Sequence, residues 1–286
     1  MLAAILLTFL AATDDAEVAR LLREKGVKVT ESKGIATSAE VGDCSKWTDE
    51  DFKQVARLSH LKSLSFGPGL ADGHLPLLAG LAELESLQTN LALITDDGVK
   101  GLAGFKSLKI VKFFHPCKAF TGTGLSALKE MASLERLTVA GSLAFNDDGM
   151  AAVGTLTRLK EFRTWHAGQT LEGVKQLKGL TNLKNLTLGQ RLAYKPPTTL
   201  ADDTLEVLAE LKSLETLQLE EARLKVESLA LLKRLPELKK LTLEGIDLSE
   251  ADLEKLRGEL PQVDIKWTKP SDVYLKRINA LFGERQ

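Results

Sequence analysis

Leu183–Leu188 reads LKNLTL, three leucines spaced so that the last three residues alternate apolar and polar. Alternation with a period of two is the signature of a strand that buries one face and exposes the other. The same phrase returns as LKSLSF at Leu61, LESLQT at Leu84, LKIVKF at Leu108, LERLTV at Leu134, LKEFRT at Leu159, LETLQL at Leu214, LKKLTL at Leu238 and LPQVDI at Leu260. Successive starts are separated by 23, 24, 26, 25, 24, 31, 24 and 22 residues. Between them runs a second phrase, TDEDFKQVARL, TDDGVKGLAGF, NDDGMAAVGTL, ADDTLEVLAEL or SEADLEKLRGEL, whose apolar residues recur at helical spacing. Each unit is therefore expected to be strand, turn and helix, and a fixed period over most of the chain means stacked units.

The pattern L-x-x-L-x-L at this period resembles leucine-rich repeats and covers the chain from about Trp47 to Trp267. It is most similar to the ribonuclease-inhibitor-like and bacterial T-D-x-G-L class, and LRGELPQVDI resembles a closing repeat. The resemblance implies an α/β solenoid, a curved right-handed array with a parallel sheet on its concave face and helices on its convex face. One position departs from the family. Where Asn or Cys is common, this chain has Gly69, Ala92, Pro116, Ser142, Ala167, Arg191, Ala222 and Ile246. Without a buried Asn ladder, the turns are expected to be satisfied by backbone groups.

Composition excludes some functions. The 286 residues carry 38 basic against 39 acidic side chains, so the basic excess of a nucleic-acid-binding protein is missing. The repeated leucines belong to the core, which leaves function to the strand residues between them. On the inner face these are small and polar in the first two units, basic and aromatic in the middle three, and acidic in the last two, with Glu220 and Glu244. Trp, Phe and Arg together have the composition of a binding hot spot. The expected contact residues are Lys112, Phe114, Arg136, Arg163, Trp165 and His166, with Tyr194 added at the rim by the insertion RLAYKPPTTL (Arg191–Leu200). The partner is expected to be a protein, not a nucleic acid or a small molecule, and the chain a monomer.

The stretch FRTWHAG (Phe162–Gly168) first suggests an active site. His115 and His166 stand two units apart, roughly 10 Å at ~4.8 Å per strand, too far to share a zinc with nitrogens at about 2.0–2.1 Å. No nucleophile and carboxylate fall in register with His166, so neither catalysis nor a cofactor is expected. The acidic turns TDDG, NDDG and ADD each precede a helical phrase. There Thr, Asn or Asp caps free N–H groups and acids suit the positive helix end. They lack the spacing of a calcium loop. Cys44 and Cys117 lie about three strands, ~14 Å, apart and are expected to be free thiols.

The expected organisation is residues 1–12 as a signal peptide, 13–46 as a cap of helix and strand pair, 47–267 as the array and 268–286 as a closing helix. The apolar run MLAAILLTFLAA is shorter than the ~20 residues that span a membrane and precedes an acidic stretch, which points to export, with a cytoplasmic location as the alternative. Two other roles fit the same repeats. One is a structural or envelope protein without a dedicated ligand, and the other is the substrate-recognition subunit of a ubiquitin-ligase-like assembly.

Overall fold

The computed structural model describes residues 15–190 and 198–284. The apolar run of residues 1–12 and Tyr194 lie outside the described residues. Eleven strands form one sheet in sequence order: β1 (Lys28–Ser32), β2 (Ile35–Val41), β3 (Ser63–Phe66), β4 (Ser86–Asn90), β5 (Ile110–Phe114), β6 (Arg136–Ala140), β7 (Glu161–Trp165), β8 (Asn185–Gly189), β9 (Thr216–Glu220), β10 (Lys240–Glu244) and β11 (Asp264–Thr268). Strands β3–β10 coincide with the first eight phrases, whereas β11 lies two residues later than LPQVDI implies, with Ile265 and not Val263 paired to Leu241. All neighbours from β2 onward run parallel and in register, so equivalent leucines stack: Leu64 on Leu87, Val111 on Leu137, and Leu186 on Leu217. The fold is a leucine-rich-repeat solenoid.

Alternation does what the sequence requires of it. Phe162 and Thr164 of β7 are buried while Glu161, Arg163 and Trp165 are only partly covered on the concave side. The core is a stack of leucine layers with Phe52, Phe66, Phe113, Phe120, Phe145 and Phe162 filling the wider gaps at 2% exposure or less. Such layers exist only by stacking, because a single unit has no second apolar surface to cover its own.

Two expectations are refined. The strand pair does more than cover the first repeat: β1 pairs antiparallel with β2, and β2 extends the main sheet parallel to β3. The convex segments are short, and several are 3-10 turns, such as Asp72–Leu78 and Thr123–Leu128. Others are α-helices, of eight residues in Asp147–Gly154 and ten in Glu250–Glu259. The last helix, Asp272–Phe282, is held by Arg223, which bonds Asp247, the Asn279 side chain and the Gly283 carbonyl.

The expectation that backbone groups alone satisfy the turns is wrong. Asp96 Oδ2 accepts from Thr121 N at 2.9 Å and Thr121 Oγ1 at 2.6 Å, while its Oδ1 accepts from Gly122 N at 2.8 Å and Gly124 N at 3.2 Å. Asp72 serves Thr95 in the same way, and Asp147 serves Thr170 and Gly173. Thr95 caps its own helix by accepting from Asp97 N, but the carboxylate of Asp96, like those of Asp72 and Asp147, reaches forward to the next unit. It takes over the work of an Asn ladder from a different sequence position. The glycine three places after the capping Thr95 or Thr170 now has a reason. A Cβ on Gly98 would lie 1.8 Å from Asp72 Oδ1, and one on Gly173 would lie 2.4 Å from Asp147 Oδ1.

Residues at the two ends of the insertion form a buried polar cluster that the sequence did not announce. Gln190 Oε1 accepts from Thr199 N and Leu200 N, and Thr199 donates its hydroxyl to the Gln169 carbonyl. Gln169, Gln190 and Thr199 are all 1% exposed or less, where an unpaired polar group would be costly.

Candidate functional site

Strand register assembles the centre of the concave face. Lys112, Thr138 and Arg163 form one row across β5, β6 and β7, and Phe114, Ala140 and Trp165 form the next. The middle strand contributes only small side chains. Thr138 is 4% and Ala140 2% exposed, because the longer residues on either side close over them. The rings of Phe114 and Trp165 meet across β6 with centroids 6.0 Å apart, and the Arg163 guanidinium lies 5.4 Å from the Trp165 ring centre. A planar cation on an indole face is attracted by the ring quadrupole and keeps its N–H edge for other partners.

The charges of this centre differ from those at several strand starts. On the edge where the strands begin, Lys109 pairs with Glu85, Lys160 with Glu135, and both Lys184 and Lys239 with Glu215. Those two lysines hold the Glu215 carboxyl down at about 2. On the concave face, among the described residues, Lys112 and Arg163 meet no carboxylate. Arg136 does, with Glu161 at 4.0 Å, so it sits at the strand start apart from the aromatic pair.

His166 does not belong to that row either. It follows β7 and its Nε2 lies 3.2 Å from Glu221 Oε2, two strands further along. His115 turns the other way, with Nδ1 3.1 Å from Asn90 Oδ1. The two imidazoles that first suggested chemistry thus point apart, and among the described residues no group of three or more His, Cys, Asp or Glu could hold a metal ion. Both thiols are free: Cys44 is buried, which pushes it up to about 11, and Cys117 donates to the Ile94 carbonyl.

Beyond β8 the face turns acidic, and here the structure adds to the sequence reading. Gln218 spreads its amide between Glu220 Oε1 at 2.7 Å and Glu244 Oε2 at 3.3 Å. Burial, and then the neighbouring Glu244 carboxylate, raise the Glu220 carboxyl above its ordinary value, against the opposing Gln218 hydrogen bond. Gly189 permits this arrangement. A Cβ there would lie 2.6 Å from Trp165 Cβ and 3.2 Å from Glu220 Cβ, so the aromatic and acidic zones abut over a bare backbone. Register places Trp165, Gly189 and Glu220 in one row, and Gly189 leaves the space between the two side chains open. An open depression of about 240 Å³ lies below, lined by Glu161, Arg163, Asn185, Leu186, Thr187, Thr216 and Gln218. It is smaller and flatter than a usual small-molecule site of roughly 300–1,000 Å³.

No family model and no curated protein matches the sequence. Solved structures do resemble it in fold. One is an internalin (inlF) from Listeria monocytogenes str. 4b F2365, 19% identical over 75% of this chain and 56% of that one, with a TM-score of 0.49. Another is an internalin C2 (inlC2) from the same strain, 18% identical over 77% of this chain and 84% of that one, with a TM-score of 0.46. The chain thus spans little more than half the length of the first. Among the described residues no helix is long and apolar enough to cross a membrane.

Proposed function

We propose that this chain is a non-enzymatic module that binds a protein partner through the middle of its concave face. The observation that supports this reading is the pair Lys112 and Arg163, cations without a carboxylate among the described residues, set on either side of the Phe114–Trp165 ring contact. Four lysines at the strand starts are paired with carboxylates, whereas the middle of the face sets two cations without one beside partly covered aromatic rings. It provides the aromatic and Arg anchors that dominate interface energetics. The sheet offers enough surface for a standard interface of roughly 800 Å² per partner.

Changing Arg163 and Trp165 together to Ala is expected to abolish partner capture and crosslinking from the native source while the melting temperature stays within a degree or two. Neither side chain is fully buried, so little packing is lost. Capture that survives the double substitution would move the binding surface elsewhere.

A further inference from the structure

The five large apolar residues most exposed among the described ones are not scattered. Leu91 is 53%, Leu93 57% and Leu143 47% exposed, and all three stand on the loops that leave β4 and β6, at the edge where strands end. The other two, Val273 and Tyr274, are on the final helix. Leu91 and Leu143 flank the β5 loop, which carries the exposed His115 and Lys118. Strands two apart are separated by only about 10 Å, so the leucines and Phe114 at the end of β5 border one continuous strip.

Leu91 is also held where a leucine is costly. Its φ of 57° lies in the left-handed region, fixed by its N–H donating to the Phe114 carbonyl at 3.0 Å. The equivalent residues of other units are His115, Gly141, His166, Glu221 and Gly245, all glycine or polar. A bulky aliphatic side chain kept both strained and in water contributes nothing to the fold, and a strained residue of this kind points to a use.

We infer that the strand-end rim of β4–β6, with Leu91, Leu93 and Leu143, docks an extended segment of a partner protein that alternates aliphatic and acidic side chains. This rests on the concave-face reading and adds the chemistry of the partner. The aliphatic side chains cover the rim leucines. The acidic ones meet Lys118 in the β5 loop and reach over the edge to Lys112 and Arg163, none of which has a carboxylate among the described residues. A basic segment would be repelled by those three cations.

The test uses the full chain and three labelled 15-residue peptides, alternating Glu/Leu, Lys/Leu and Glu/Ser, followed by fluorescence anisotropy. The Glu/Leu peptide is expected to bind at least tenfold tighter than either control and to weaken as salt rises. Leu91→Gly with Leu143→Ser should weaken it at least tenfold. Because glycine relieves the left-handed strain, Leu91→Gly alone should leave the melting temperature equal or higher, which a structural role for Leu91 would not allow. Equal or tighter binding of the Lys/Leu peptide, no binding of any peptide, or a rim variant that binds like the parent would each overturn the inference. If the rim variant binds normally while Arg163→Ala/Trp165→Ala does not, the rim fails and the concave face stands. If neither substitution matters, both readings fall.

Discussion

Replacing Asp96 by Ala tests whether the acidic turns hold the units together or merely suit their own helix ends. The carboxylate accepts four hydrogen bonds from the next unit, two on each oxygen. A hydrogen bond to a charged group contributes about 1.5–3 kcal/mol when shielded. Thr121 can turn its hydroxyl to Thr123, 3.2 Å away, and water reaches part of this turn, so the full sum is not expected. About 3 kcal/mol is a reasonable loss, equal to one buried N–H left unpaired and two others resolvated. With an unfolding entropy of ~2.1 cal/mol/K per residue, that lowers the melting temperature by roughly 5 °C. Asp97 supplies the control, because it sits in the same helical turn but is exposed and bonds only Lys100 through its side chain. Urea unfolding followed by circular dichroism should show Asp96→Ala destabilising by several times more than Asp97→Ala. Asp96→Asn should cost nearly as much as Ala, since one amide group would then face donors. Equal effects of Asp96→Ala and Asp97→Ala would refute the ladder and leave only helix capping.

The pH dependence of that difference has a defined sign. Burial alone would raise the Asp96 carboxyl, but the Thr121 hydroxyl and the N–H groups of Thr121, Gly124 and Gly122 together hold it below its ordinary 3.8. Its contribution is therefore complete above the unfolded value and is lost as pH falls through the lower folded one, so the gap between parent and Asp96→Ala should close below about pH 4. Glu220 is the opposite case: its folded value is raised, so ionisation costs stability above that value and the cost is relieved as pH falls through it. Glu220→Gln should accordingly raise the urea midpoint at pH 8 and leave it unchanged near pH 4; a lower midpoint at pH 8 would contradict the assignment. Gly124→Ala would bring a Cβ within 2.0 Å of the Asp96 carbonyl oxygen, a backbone clash expected to cost about 3 kcal/mol or more, and a neutral result in the same assay would show that the turn is looser than described.

Much of this molecule was legible as sequence. Period-two alternation recurring at near-constant spacing specifies strand, face and stacking order at once, because a shift of one residue would bring every leucine out to water. That is why the first eight phrases match β3–β10, why Phe162 and Leu186 are core, and why Lys112, Phe114, Arg163 and Trp165 could be assigned to one side of the sheet; the closing phrase, with fewer leucines, was read two residues early. The signal fails where contact depends on lateral neighbours. Nothing local distinguishes Asp96, whose side chain staples the next unit, from the exposed Asp97 until that unit lies about 4–5 Å away. Arg136 and Arg163 look alike in sequence, yet only the first has Glu161 beside it. His166 follows Trp165 in sequence, yet it turns along the edge to Glu221, because its own left-handed backbone, φ 53°, re-aims it. The sequence by itself thus determined the repeat, the strand register and the buried set, which follow from periodic burial alone. Only the tertiary structure decided which charges are paired, which aromatic rings touch across β6 and which leucines are left in water. Those depend on residues one or two repeats away, 25 positions for Arg136 and Glu161 and 55 for His166 and Glu221, brought together by stacking.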